Sequence, residues 1–216
     1  MKKAIWLGAS LWLAACRGTV PDRNAPPKQS ISAILIGARM ILPGGETRDG
    51  VAVVNFETAG GRRAETYRLP VRGGEHVLYL IEPGTYRLAP TRSPFGFSQP
   101  KMTVVIEGRR YRLPFPSEIQ NSGAYAVKPS KILALGVLEA RLMPAPPGSQ
   151  PEIRVRLDDG VASRRKLVQD AIHDMMDAAL PFDAREGAIS WSRALQSSLM
   201  DILSEENRRT PDAPAR

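Results

Sequence analysis

The spacing of hydrophobic and polar positions divides the chain into blocks. An apolar run over residues 4–13 follows Met1, Lys2 and Lys3 and ends at Ala14, Ala15 and Cys16. Residues 17–30 are polar, carry Pro21, Pro26 and Pro27, and show no apolar period, which predicts a flexible tether over 16–30. From 31 to 159, short apolar or alternating runs are broken by Gly and Pro pairs, the spacing of an all-β domain. Strands are predicted at 31–36, 51–56, 66–71, 76–81, 85–88, 102–106, 111–113, 132–142 and 152–157, enough for two packed sheets. Glu82-Pro83-Gly84 presets φ at the proline and offers a glycine for positive φ, so a type II turn closing a hairpin is expected there.

Past Asp158-Asp159-Gly160 the period becomes helical. Leu167, Val168, Ala171, Ile172, Met175, Met176 and Ala179 share one face, predicting a helix from near Ser163 to before Pro181. A second is expected from about Ser190 to Asn207 on Trp191, Ala194, Leu195, Leu199, Ile202 and Leu203, with residues 208–216 as a frayed tail. The short link predicts a helical hairpin over 160–207, whose apolar stripes must cover the sandwich, each other or a partner.

Composition narrows the class. The chain of 216 residues is 43% hydrophobic and 24% charged, in the globular range. Lys2 and Lys3 belong to the leader, so the chain from Cys16 onward carries 28 basic and 22 acidic residues, a net charge of +6. Such a balance suits anionic surfaces, and the lack of a block of some five or six consecutive basic residues argues against a nucleic-acid arm. Cys16 is the single cysteine, which excludes an internal disulfide and a multi-thiolate metal site.

The basic start, apolar run and small residues have the layout of a secretory signal over residues 1–15. Ten residues of helix span roughly 15 Å, half of a ~30 Å hydrocarbon layer, so cleavage is expected rather than a permanent span. Leu13-Ala14-Ala15-Cys16 resembles the bacterial lipobox. That resemblance implies a diacylglyceryl thioether on Cys16, cleavage just before it, and membrane attachment through the lipid anchor. Arg17 stands where an aspartate commonly signals inner-membrane retention, so the resemblance favours the outer membrane, facing the periplasm.

Residues 81–88, Ile-Glu-Pro-Gly-Thr-Tyr-Arg-Leu, resemble the Pro-Gly-x-Tyr segment of bacterial modules related to the PEGA and carboxypeptidase-regulatory domains. The resemblance implies a transthyretin-like antiparallel β-sandwich serving as an accessory or binding module. The expected fold is therefore mainly β with C-terminal α.

Candidate chemistry is sparse. Tyr-Arg-Leu occurs at 67–69, 86–88 and 111–113, and period-two alternation would turn Arg68, Arg87 and Arg112 outward. Were their strands neighbours, these arginines would form a basic stripe for anionic lipid or glycolipid; otherwise they are three solvated side chains. Phe95 and Phe97 lie between prolines, as a partner contact or as a cap on the sandwich. Asp170, His173, Asp174 and Asp177 share a helix face at cation-binding spacings, but the same residues make the solvated face that such a helix needs, so no metal is assigned. His76, the other histidine, sits in an apolar strand. No Gly-x-Ser-x-Gly elbow and no phosphate-cradling loop occur, and no cofactor is implied. The expectation is a non-catalytic lipoprotein with an envelope protein partner, or an anionic-lipid binder using the basic strand faces.

Overall fold

The computed structural model describes residues 16–17, 19–21, 27, 32–59, 65–90, 101–146, 148–149, 151–176 and 185–209. Its strands in chain order are β1 (Cys16–Arg17), β2 (Ser32–Ile41), β3 (Gly50–Thr58), β4 (Thr66–Arg72), β5 (His76–Ile81), β6 (Gly84–Ala89), β7 (Lys101–Ile106), β8 (Arg109–Pro114), β9 (Tyr125–Val127), β10 (Ile132–Leu142) and β11 (Ile153–Asp158). The helices are α1 (Ser117–Gln120), α2 (Val161–Met175) and α3 (Arg185–Arg209). The fold is mainly β with C-terminal α, two sheets followed by a helical pair.

Sheet A runs β1-β4-β3-β6-β9, with β7 on the same edge of β3 as β6 and β8 beyond β7. Strand β3 can serve two neighbours on one edge because its first half pairs with β7 and its second half with β6. Sheet B is four-stranded, in the order β11-β10-β2-β5. Its central pair, β2 with β10, is parallel, while β10 with β11 and β2 with β5 are antiparallel.

The two sheets enclose Ile34, Ile36, Met40, Phe56, Leu69, Val71, Tyr86, Val104, Leu135 and Leu138. A second apolar layer lies on the far side of sheet B, where α2 and α3 cover Ala33, Leu35, Leu78, Ile132, Ala134 and Val137 with Leu167, Val168, Ala171, Trp191, Leu195 and Ile202. Strand β2 is thus covered on both faces, and every residue of it except Arg39 is buried. This accounts for its near-continuous apolar sequence, as expected of a strand with a layer on each side. The helices pack against each other and against β10, and their stripes serve the local core. Arg164 to Glu205 at 2.8 Å and Arg165 to Glu206 at 3.0 Å fasten the start of α2 to the end of α3.

Gly136 sets the phase of β10. The ladder with β2 shifts register between Ala134 and Gly136, so Leu135 and Leu138 both reach the inter-sheet core although they stand three positions apart, an offset that strict alternation would send to opposite faces. Gly136 adopts φ of 123°, and a Cβ there would stand 2.4 Å from the Asp158 carbonyl oxygen, a position that only glycine can occupy.

The expected hairpin at Glu82-Pro83-Gly84 does not form. Strand β5 belongs to sheet B and β6 to sheet A, so this turn carries the chain from one sheet to the other, and Gly84 is not among the positive-φ glycines. The Tyr86 hydroxyl donates to the Glu82 carbonyl at 2.8 Å, and its ring stacks on Phe56 with centroids 4.9 Å apart. A tyrosine that bonds back to the backbone where the chain turns between sheets is the tyrosine-corner device of β-sandwiches. A hairpin does occur at Glu107-Gly108, where both residues have positive φ, the type I′ signature, and join β7 to β8. Helix α3 begins at Arg185, earlier than the expected Ser190, and takes in Gly187.

Candidate functional site

Strand alternation places the Tyr-Arg-Leu arginines. Leu69, Tyr86 and Leu88 are buried in the inter-sheet core, with Tyr67, Tyr111 and Leu113 packed against it. Arg68, Arg87 and Arg112 are exposed on the opposite side of their strands. All three strands belong to sheet A, and the register shows that the three arginines share one face. Arg68 pairs with Asn55 and Arg87 with Glu57, two positions on the same side of β3. Arg112 pairs with Thr103, which pairs with Val53, again on that side of β3. The strands do not neighbour one another directly; β3 and β7 connect them.

The same registry adds residues that the tripeptide pattern misses. Arg72 pairs with Val51, Val51 with Val105, and Val105 with Arg110. Lys101 lies two residues before Thr103 on β7 and is exposed. The outer face of sheet A therefore carries Arg68, Arg72, Arg87, Lys101, Arg110 and Arg112. Val51, Val53, Thr103 and Val105, each half-buried, form the floor between them. At the strand positions of this face the single carboxylate is Glu57. Its side chain is 3% exposed and lies 3.7 Å from Arg87.

Several cations elsewhere are paired. On sheet B, Glu139 of β10 stands between Arg39 of β2 and Arg156 of β11, at 3.7 and 2.6 Å, and its hydrogen bond and charge hold the Arg156 guanidinium above its ordinary pKa. Arg154 meets Glu152 at 2.9 Å, Lys166 meets Asp170 at 3.1 Å, and Lys131 meets Asp201 at 3.1 Å. A groove of about 780 Å³ opens along the β11 edge, lined by Leu113, Pro116, Ile153 and Val155. Of its carboxylates Glu118, Glu139 and Glu152, the last two are held by Arg156 and Arg154.

Cys16 and Arg17 form β1, which pairs in parallel with β4, Cys16 opposite Tyr67 and Arg17 opposite Arg68. Thr19 then bridges to Leu80 of β5, accepting a hydrogen bond from its backbone N–H at 2.7 Å. The stretch following Cys16 thus contacts the β4 edge of sheet A and the β5 edge of sheet B. Among the described residues, no helix is long and apolar enough to cross a membrane.

Asp170 is engaged by Lys166, and Asp174 lies 3.3 Å from His76 Nε2, tying edge strand β5 to α2. His173 is exposed, and Asp177 lies outside the described residues. Among the described residues no group of three or more His, Cys, Asp or Glu side chains is placed to hold a metal ion. Phe95 and Phe97 also lie outside the described residues. Trp191 is buried between the helices and sheet B.

The fold and the face define a class: a two-sheet β-sandwich with a helical layer on one side and a basic sheet face on the other. No family model matches the chain, and no curated protein matches it. Among solved structures, a candidate cell adhesion protein from Bacteroides uniformis ATCC 8492 is 12% identical over 60% of this chain, with a TM-score of 0.24. The alignment spans half the length of that protein, and the likeness is too slight to bear on fold or function.

Proposed function

We propose that this protein is a non-catalytic, lipid-anchored module of the bacterial cell envelope, attached through Cys16 to the outer membrane and facing the periplasm. The observation that carries the reading is the position of Cys16 within the lipobox-like Leu13-Ala14-Ala15-Cys16 and at the edge of the domain, on the outermost strand of sheet A. Removal of residues 1–15 would take away none of the described elements. Two or three acyl chains, at about 0.8 kcal/mol per buried methylene, would make attachment effectively permanent.

The absence of a catalytic reading rests on the sequence motifs and on how the polar groups are used. His76 Nε2 lies against Asp174, and of the groove carboxylates Glu118, Glu139 and Glu152 the last two are engaged in ion pairs within the fold. Labelling of cells with radioactive palmitate tests the anchor. The wild-type protein is expected to take up label and to fractionate with membranes, while Cys16→Ser is expected to lose both. Equal labelling of the two, or an unmodified wild-type chain beginning at Met1, would overturn the proposal.

A further inference from the structure

We infer that the outer face of sheet A is a contact surface for the anionic headgroups of a phospholipid bilayer. The inference deepens the anchored-lipoprotein reading and rests on it for the identity of the partner; the charge argument is separate. Six basic side chains converge on this face from four strands, against one carboxylate that Arg87 already meets. Among the described residues, no ion pair is made by Arg68, Arg72, Lys101, Arg110 or Arg112. Around sheet B and the helices Arg39, Lys131, Arg154, Arg156, Arg164, Arg165 and Lys166 sit beside carboxylates. Exposed cations elsewhere that make no ion pair among the described residues, Arg109, Lys128, Arg141 and Arg193, stand on separate elements, whereas those of the outer face of sheet A share one surface.

The face has the form a bilayer requires. From β4 through β3 and β7 to β8 it spans roughly 14 Å at ~4.8 Å per strand. Arg110 and Arg112, two positions apart on β8, stand about 7 Å apart along the strand, inside a Debye length of about 10 Å at 0.1 M salt. The half-buried valines of the floor suit arginine side chains that lie along apolar surface and keep their guanidinium groups in the headgroup layer. The anchor points to a bilayer as the source of phosphate, because β1 holds Cys16 and Arg17 along β4, at the margin of this same sheet. Acyl chains leaving from that margin would bring the basic face against the membrane they enter.

The test uses the unacylated chain from residue 16 with Cys16→Ser, which retains every described element, so its outcome is independent of whether the anchor forms in cells. Partitioning is measured by co-sedimentation with vesicles of phosphatidylcholine alone or with 30% phosphatidylglycerol. Binding is expected only to the anionic vesicles and is expected to disappear in 1 M salt, where the Debye length is about 3 Å. Each basic residue near an anionic surface is worth about fivefold in partitioning, so Arg68→Glu with Arg87→Glu and Arg112→Glu is expected to weaken binding by tenfold or more. A control with the same net charge, Arg154→Glu with Lys166→Glu and Arg193→Glu on other faces, is expected to bind at least tenfold better than that triple variant. Circular dichroism melting verifies that each variant is folded; should the triple variant not fold, Arg110→Gln with Arg112→Gln on edge strand β8 replaces it, with a loss of about 25-fold expected. No binding by the parent chain, equal binding to both vesicle types, or equal losses in face and control variants would overturn the inference.

Discussion

Arg87 of β6 lies directly across from Glu57 of β3, its guanidinium 3.7 Å from a carboxylate whose side chain is 3% exposed. This arginine therefore has a structural duty that Arg68 and Arg112 lack. Arg87→Ala is expected to cost about 1 kcal/mol in urea unfolding, a modest figure because the arginine end of the pair is in water. Arg68→Ala and Arg112→Ala are expected to change stability by less than about 0.5 kcal/mol. Equal losses at the three positions would show that the outer face is held for folding rather than for contact.

Gly136→Ala tests the bulge in β10. The added Cβ would meet the Asp158 carbonyl oxygen at 2.4 Å in a backbone with φ of 123°. Both the clash and the strained backbone act in the folded state, and the expected loss is about 3 kcal/mol or more. A melting temperature unchanged by this substitution would mean that β10 reaches its register in some other way.

The nine predicted strands and both long helices were legible because alternation and a 3.6-residue period are local properties of the chain. Strands β1 and β9 were not, since two or three residues cannot display an alternation. The parallel pairing of β2 with β10 joins residues about a hundred positions apart, and no local pattern encodes such a partner. Pro83-Gly84 carried a turn signal that is the same for a hairpin and for a passage between sheets; the Tyr86 hydroxyl bond to Glu82 distinguishes them, and it is visible only in three dimensions. The basic face followed the same rule. Arg68, Arg87 and Arg112 stood out through a repeated tripeptide, whereas Arg72, Lys101 and Arg110 join them only through the ladder register.

Burial, more than its closeness to Tyr67, raises the pKa of Tyr86 beyond the ordinary value of 10.0. Burial likewise raises Tyr67 and Tyr125. Because the unfolded tyrosine releases its proton at about pH 10 and the folded one only at higher pH, this stability is fully present below pH 10 and is lost as pH rises through the folded value. Tyr86→Phe is expected to cost about 1 kcal/mol at pH 7 through the lost bond to Glu82, and then to lose less than the wild type between pH 9 and pH 11. Parallel declines in the two urea midpoints would count against a buried, neutral Tyr86.

Leu195 is fully buried between α3, α2 and sheet B. Leu195→Ala is expected to destabilise the protein by about 2–5 kcal/mol, read from thermal or urea unfolding. At temperatures where the variant remains folded, its binding to anionic vesicles is expected to match that of the wild type, since the helices lie on the opposite side of sheet B from sheet A. A selective loss of vesicle binding would place the contact surface on the helical layer.

Orientation at the membrane tests the account most directly. Cys16 is the single cysteine and is blocked when acylated, so a fluorophore can be placed on the anchored protein at Thr85→Cys, on the outer face of sheet A, or at Gln169→Cys, on the exposed side of α2. Quenchers carried on lipid headgroups are expected to dim the Thr85 probe strongly and leave the Gln169 probe bright. The reverse order, or two probes equally untouched by the lipid quencher, would contradict the account.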